Sequence, residues 1–249
     1  MLLGQYINSI ILDKPIEKNS YLLQLPVIKY LTANKSIPIS NNVTFFVGEN
    51  GTGKSTLIEA IAVAYGFNPE GGSRNFDFST NQSHSDLWKH LVISKGKHAK
   101  DGFFLRAESF YNVATNIDEM DKEPSFSPPV INSYGGVSLH NQSHGESFLS
   151  LVQNRFGGNG VYILDEPEAA LSPMKLLTLI AEIDSLVKNN SQFIIATHSP
   201  ILMAFPNAEI LEFSQSGIKS VNYKDTEHYQ VTLSFLENPD RMLKYLLND

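Results

Sequence analysis

Gly48-Glu49-Asn50-Gly51-Thr52-Gly53-Lys54-Ser55 stands between the apolar run Val43-Thr44-Phe45-Phe46-Val47 and a helical stretch, Thr56 to Tyr65. The octet is the complete pattern G-x-x-x-x-G-K-[ST], and it lies where that pattern has chemical meaning, after a strand and before a helix. Glycines let the backbone curl so that successive N–H groups point inward. The helix that follows adds its positive N-terminal end, and together they form a cradle for phosphates. A turn that merely joined strand to helix would have no need of all eight positions. The expected binding set is Gly48, Glu49, Asn50, Gly51, Thr52, Gly53, Lys54, Ser55 and Thr56. Lys54 is expected to reach the β- and γ-phosphates of a nucleoside triphosphate, and Ser55 to offer its hydroxyl to Mg²⁺.

Composition narrows the rest. The 249 residues fit one domain with an inserted lobe, and 42% hydrophobic with 18% charged residues is the make-up of an ordinary globular chain. A formal charge of −7 opposes unaided, sequence-independent binding to a nucleic-acid backbone, which depends on clustered Lys and Arg. With no cysteine there is neither disulfide nor thiolate metal site nor thiol nucleophile, which fits a reducing compartment. The start lacks a basic segment followed by an apolar stretch, and no apolar run approaches the roughly 18 residues that cross a bilayer. The expected location is the cytoplasm.

Along the chain, residues 6–12 alternate as a strand, and 20–31 reads as a second extended segment bent at Pro26. With the rest of residues 1–42 they are expected to form an antiparallel layer. An inserted helical lobe is expected over about 77–147. His84 and His90 lack partners at metal-ligand spacing and read as surface residues. The basic run 94–100 reads as an exposed turn with no aromatic interleaved. Gly102 to Arg106 reads as a buried strand, and 118–129 as a mobile surface connection. Ser143 with Glu146 forms a capping box at the head of a helix. Val161-Tyr162-Ile163-Leu164-Asp165-Glu166 is an apolar strand closed by two carboxylates, the mark of a central parallel strand whose C-terminal end faces a ligand. Asp165 is thereby delivered to Mg²⁺, with Glu166 one residue further out. After Ser172-Pro173 a helix is expected to bury Met174, Leu177, Ile180, Ile183 and Val187. The strand 193–197 ends at His198, again at the ligand edge. Two strands, 209–213 and 218–223, and a final helix from Pro239 to Leu247 complete the reading, which is α/β with a mostly parallel sheet.

Taken together these residues resemble the ATP-binding cassette (ABC) type of P-loop ATPase over Val43 to Phe213. Gly48 to Ser55 matches its Walker A motif, and Val161 to Asp165 its Walker B strand with Glu166 in the catalytic glutamate position. Ala169 to Ser172 matches the D-loop and His198 the switch histidine. Ser143, Gly145 and Glu146 fall in the signature, with His144 where the family has a second glycine. No glutamine stands at the Q-loop, and Glu108 takes its place as a further metal-site candidate. The strings 165–173 and 196–200 are more similar to the soluble RecF-, SMC- and OLD-like branch than to transport subunits. No guanine-reading Asn-Lys-x-Asp motif accompanies them.

The resemblance implies Mg²⁺-dependent hydrolysis of ATP, with Lys54, Glu166 and His198 as catalytic residues and Ser55, Asp165 and Glu108 at the metal. It also implies an ATP-dependent homodimer in which Ser143 meets the partner's γ-phosphate. Tyr6, Tyr21 and Tyr30 are the candidates for adenine stacking. For the purpose of the cycle the leading expectation, from the RecF- and SMC-like motifs, is a DNA or RNA maintenance clamp, and the alternative is a regulatory module that controls a separate effector protein. A role as the ATP subunit of a transporter ranks below both, and no membrane contact is expected.

Overall fold

In the computed structural model, which describes residues 5–74, 85–122 and 128–247, the phosphate-loop strand β3 (Val43–Gly48) sits in the middle of the larger of two sheets. Ahead of it come β1 (Ile7–Leu12), α1 (Pro26–Asn34) and β2 (Ser36–Pro38). After it come α2 (Lys54–Tyr65), β4 (Leu91–Lys95), β5 (Asp101–Arg106), α3 (Phe110–Met120), α4 (His144–Arg155) and β6 (Gly160–Asp165). The chain continues through α5 (Pro173–Lys188), β7 (Gln192–Ala196), α6 (Pro200–Met203), β8 (Glu209–Ser214), β9 (Gly217–Ser220), α7 (Glu227–Glu237) and α8 (Pro239–Leu247).

The larger sheet runs β5-β6-β7-β3-β8-β9, and every pairing is parallel except that of β8 with β9. β3, β6 and β7 are buried along their whole length, as strands covered on both faces must be. Because successive side chains alternate, Phe45, Tyr162, Leu164 and Ile195 enter one core with α3, α4 and α5. Phe46, Ile163 and Ile194 enter the other with α1, α2 and the smaller sheet. That smaller sheet is antiparallel, in the order β2-β1-β4. Gln192, buried at the start of β7, fastens it: its amide oxygen accepts from the N–H groups of Tyr6 and Ile7 at 3.0 and 2.8 Å, and its nitrogen donates to the Ile7 carbonyl.

Several expectations need correction. Residues 20–31 are helical, a 3-10 turn over Tyr21–Gln24 followed by α1. Pro26 occupies the first helical position, where its missing N–H costs nothing and its fixed φ suits the helix. The third strand of the small sheet, β4, and the edge strand of the large sheet, β5, both come from within 77–147, so helix dominates only the part of that stretch after Arg106. α3 runs through residues 118–120, and the Asp121 carboxylate accepts from the N–H groups of Val130 and Ile131. Residues 123–127 of that connection, and His84, lie outside the described residues. His90 is half-buried rather than on the surface, and its carbonyl accepts from Asp13 and Lys14.

α5 buries Leu176, Leu179, Ile183 and Leu186, while Met174 and Leu177 are 73% and 51% exposed. Its sequence carries two apolar stripes of helical period, and only the position of α4 and the sheet decides which faces inward. β9 stops at Ser220, and α7, capped by Thr226, has no counterpart among the expected elements. Among the described residues no helix is long and apolar enough to cross a membrane.

Candidate active site

The phosphate loop is shaped by what surrounds it. A Cβ on Gly48 would stand 2.0 Å from the Phe213 carbonyl oxygen, so only glycine lets β3 end beside β8. A Cβ on Gly53, at φ +96°, would stand 2.5 Å from Cγ1 of Val27 on α1. α1 also donates the Val27 N–H to the Thr52 carbonyl, and it therefore braces the loop. Thr52 closes the loop on itself, its hydroxyl donating to the Glu49 carbonyl at 2.8 Å.

Lys54 is buried, and its Nζ donates to the carbonyls of Gly48 and Glu49 at 2.6 and 2.8 Å. Burial lowers its pKa, opposed by the charges of Glu166, Asp165 and Glu49. The ammonium is thus held on loop carbonyls that a phosphate oxygen can replace.

Ser55, Arg106, Glu108, His144, Asp165 and Glu166 share one open cavity of about 520 Å³ at the C-terminal ends of β5 and β6. Asp165 is buried there, with Oδ2 3.4 Å from Arg106 Nε and with no hydrogen-bond partner on Oδ1. Burial pushes its carboxyl up to about 6; Glu166, Glu59 and Glu108 add to the effect and Arg106 opposes it. A buried carboxylate with an orphan oxygen and a serine hydroxyl lining the same cavity are oxygen ligands of the kind a hard divalent cation takes. Among the described residues no three acidic or histidine side chains converge on a protein-only metal site. That suits a cation held by one carboxylate and one hydroxyl together with substrate phosphates.

Arg106 is a hub, with Nη1 2.8 Å from Glu59 and Nη2 3.2 Å from Glu108. The Glu108 side chain is 86% exposed at the cavity rim, joined to the metal-site candidates through Arg106.

Glu166 adopts a left-handed conformation, φ 51° and ψ 51°, which costs a non-glycine residue on the order of 1–3 kcal/mol. Its N–H donates to the Ala196 carbonyl of β7, and this turns the side chain toward His198, whose Nε2 is 3.7 Å from Glu166 Oε1. The His198 segment is pinned by Glu168, whose carboxylate accepts from the His198 N–H and from the Thr197 hydroxyl at 2.8 Å. Burial raises the Glu168 carboxyl against those bonds. Burial lowers the pKa of His198, the Lys54 charge lowers it further, and Glu166 opposes, a balance that favours the neutral imidazole. Nδ1 of His198 lies 2.9 Å from Nε2 of His228 on α7.

In the signature segment the capping box is complete, and the Glu146 carboxylate accepts from both the N–H and the hydroxyl of Ser143. Those bonds hold the Glu146 carboxyl below its usual range. Gly145 packs on the turn 167–170, where a Cβ would stand 2.8 Å from the Ala170 carbonyl oxygen. His144 reaches the cavity and packs against Phe110 and Tyr111. Of the three tyrosines, Tyr6 is buried with its hydroxyl on the Asn190 carbonyl and is closed to adenine, while Tyr21 is 58% exposed and Tyr30 is half-buried under Gly217.

The structure therefore gathers Lys54, Ser55, Asp165, Glu166 and His198 at one sheet edge. Arg106, Glu59, Glu168 and His228 join them without having been singled out from sequence. A charge closing the buried strand 102–106 was the available signal for Arg106. His228 had none, because its place depends on how α7 returns.

Comparison with known proteins finds a family described as "AAA domain" matching residues 26–122, which hold the phosphate loop. A family described as "AAA domain, putative AbiEii toxin, Type IV TA system" matches residues 137–204, which hold the signature segment, β6 and His198. The "Retron Vc95 probable ATPase" of Vibrio cholerae serotype O1 biovar El Tor is 26% identical over 119 residues, covering 41% of this chain and 23% of that protein. The chain thus matches less than a quarter of that relative's length. Among solved structures, an ATP-binding cassette of an ABC transporter aligns with a TM-score of 0.51 at 15% identity, over 94% of this chain and 97% of that one. An ABC transporter in an inward-facing conformation aligns with a TM-score of 0.50 at 14% identity, over 92% of this chain and 89% of that one. At these identities the likeness speaks for the fold.

Proposed function

We propose that this chain, whose fold aligns with that of ATP-binding cassettes and whose residues 26–122 and 137–204 match AAA-domain families, hydrolyses ATP by attack of a water on the γ-phosphate, as a dimer that closes head to tail on two nucleotides. The observation that carries the residue roles is the convergence of Lys54, the orphan oxygen of Asp165, and the Glu166–His198 pair on one edge of the sheet.

Lys54 exchanges its bonds to the Gly48 and Glu49 carbonyls for β- and γ-phosphate oxygens. Glu166 orients or deprotonates the attacking water, and neutral His198 donates from Nε2 to the γ-phosphate. The residues that would hold Mg²⁺ are Ser55 and Asp165, with Glu108 at the rim, and the bound ion supplies charge neutralisation at the phosphates. Glu166→Gln should retain ATP and release phosphate far more slowly, and Lys54→Ala should lose binding or turnover. Equal phosphate release by wild type and Glu166→Gln would remove Glu166 from the mechanism.

Closure in trans would use Ser143. Its N–H and hydroxyl already hold an anion, the Glu146 carboxylate, which a partner's γ-phosphate would displace. Light scattering on Glu166→Gln with ATP and Mg²⁺ tests homodimer closure.

For the purpose of the cycle we favour a regulatory module, located in the cytoplasm, whose ATP-dependent closure controls a separate effector. Support comes from the charge of −7 and from the aromatics beside the basic side chains Arg74, Lys95 and Lys97: Tyr65, Phe67 and Tyr6 are buried beneath them and closed to stacking with a base. ATPase rates with and without single- and double-stranded DNA or RNA, at low and high salt, separate this from the maintenance clamp. Stimulation or binding at low salt would favour the clamp.

A further inference from the structure

We propose that His228 is a positioning residue, which donates a hydrogen bond from Nε2 to Nδ1 of His198 and so keeps the switch histidine protonated at Nε2 and aimed at the reacting phosphate. The inference rests on the ATP-hydrolysis reading. With 2.9 Å between the two ring nitrogens, one of them carries the shared proton, and only two neutral arrangements exist. If His198 donated from Nδ1, its Nε2 would present a bare lone pair to the Glu166 carboxylate 3.7 Å away and, in turn, to an anionic phosphate. If His228 donates, His198 presents an N–H to both. Electrostatics selects the second arrangement, because a donor facing an anion is favourable and a lone pair facing one is not.

The geometry serves that purpose. The main chain of His198 is already fixed through Glu168, so what remains free is rotation of the ring. His228, second residue of α7, blocks that rotation, with ring centroids 5.1 Å apart at 51°. α7 is itself anchored at its first turn. The hydroxyl of Thr226, fully buried, donates to the Tyr223 carbonyl and accepts from the Tyr229 N–H, and α7 packs on α6, which begins two residues after His198. The charged groups facing the pair are Lys54 and Glu166 around His198, and Glu227, Lys54 and Glu168 around His228. Burial lowers both imidazoles and Lys54 lowers both further, which favours the neutral forms, whose tautomer the hydrogen bond then selects.

The test uses wild type, His198→Ala, His228→Phe and His228→Gln, with Lys54→Ala as the control for turnover. His228→Phe keeps an aromatic ring and removes the donor; it should lower kcat about 10- to 100-fold, the range found when the partner that orients a metal-ligating histidine is lost, with little change in KM for ATP. His228→Gln restores an N–H donor and should recover most of kcat. A merely structural contact would not show this pattern. Nitrogen-15 NMR of the imidazoles, which needs no turnover, should find His198 protonated at Nε2 in wild type and His228→Gln, and in mixed tautomers in His228→Phe. A wild-type His198 protonated at Nδ1, a His228→Phe enzyme with unchanged kcat, or a His228→Gln enzyme as impaired as His228→Phe would each overturn the proposal. Equal phosphate release by wild type and Lys54→Ala would instead sink the hydrolysis reading, while the NMR result would still decide the histidine pair.

Discussion

Asp165→Asn should make the nucleotide-free protein more stable at pH 7.5 while depriving it of Mg²⁺-dependent ATP binding. The carboxyl of Asp165 titrates at about 6 in the fold, against an ordinary value of 3.8. An acid whose pKa is raised by folding binds its proton more tightly in the native state, so stability is full below pH 3.8 and is lost as pH rises through about 6. At about 1.4 kcal/mol for each tenfold in binding, the raised value corresponds to a cost on the order of 3 kcal/mol at pH 7.5. The asparagine side chain would carry no charge to desolvate, and Arg106 would keep Glu59 and Glu108 as partners. Urea unfolding of both proteins at pH 7.5 and pH 5, without nucleotide, measures the difference. The variant should lead by up to about 3 kcal/mol at pH 7.5 and by less at pH 5, where wild-type Asp165 is largely protonated. ATP with Mg²⁺ should then stabilise wild type and leave the variant unmoved. A variant that unfolds at lower urea than wild type at pH 7.5, or a lead that does not shrink on acidification, would refute the assignment of Asp165 as a buried carboxylate that Arg106 compensates only in part.

Glu166→Gln should slow single-turnover phosphate release by about 10²- to 10⁴-fold, the range for loss of a general base, with nucleotide retained on a filter-binding assay. Gly53→Ala should abolish ATP binding measured by calorimetry; adding Val27→Ala removes the 2.5 Å clash but not the strain at φ +96°, so rescue should be partial. On α5, Leu179→Ala should cost about 2–5 kcal/mol in urea unfolding and Leu177→Ala well under half of that, because Leu179 is fully buried and Leu177 is 51% exposed; equal costs would mean the helix is rotated from its assigned face.

What the sequence by itself determined is the part of the site that is local. Eight consecutive residues specify the phosphate loop because glycine torsions and a following helix N-terminus are set by neighbours in the chain. Asp165 and His198 were legible for a related reason: an apolar run long enough to be a central strand delivers its next residue to the ligand edge wherever the strand lies. The capping box of Ser143 and Glu146 is likewise complete within four residues. Tertiary structure decided whatever depended on which surface met which. α5 offered two apolar stripes, and packing on α4 and the sheet chose Leu176, Leu179, Ile183 and Leu186 over Met174 and Leu177. Pro26, equally at home in a bend or at a first helical turn, became the head of α1 because Val27, Ile28 and Leu31 found a core there and Val27 a loop to brace. Arg106 acquired its role from three carboxylates brought from positions 59, 108 and 165, and His228 from the return of α7 onto His198, thirty residues away. Neither has a sequence period, because a partner supplied by chain return is fixed by the packed core and not by spacing along the chain.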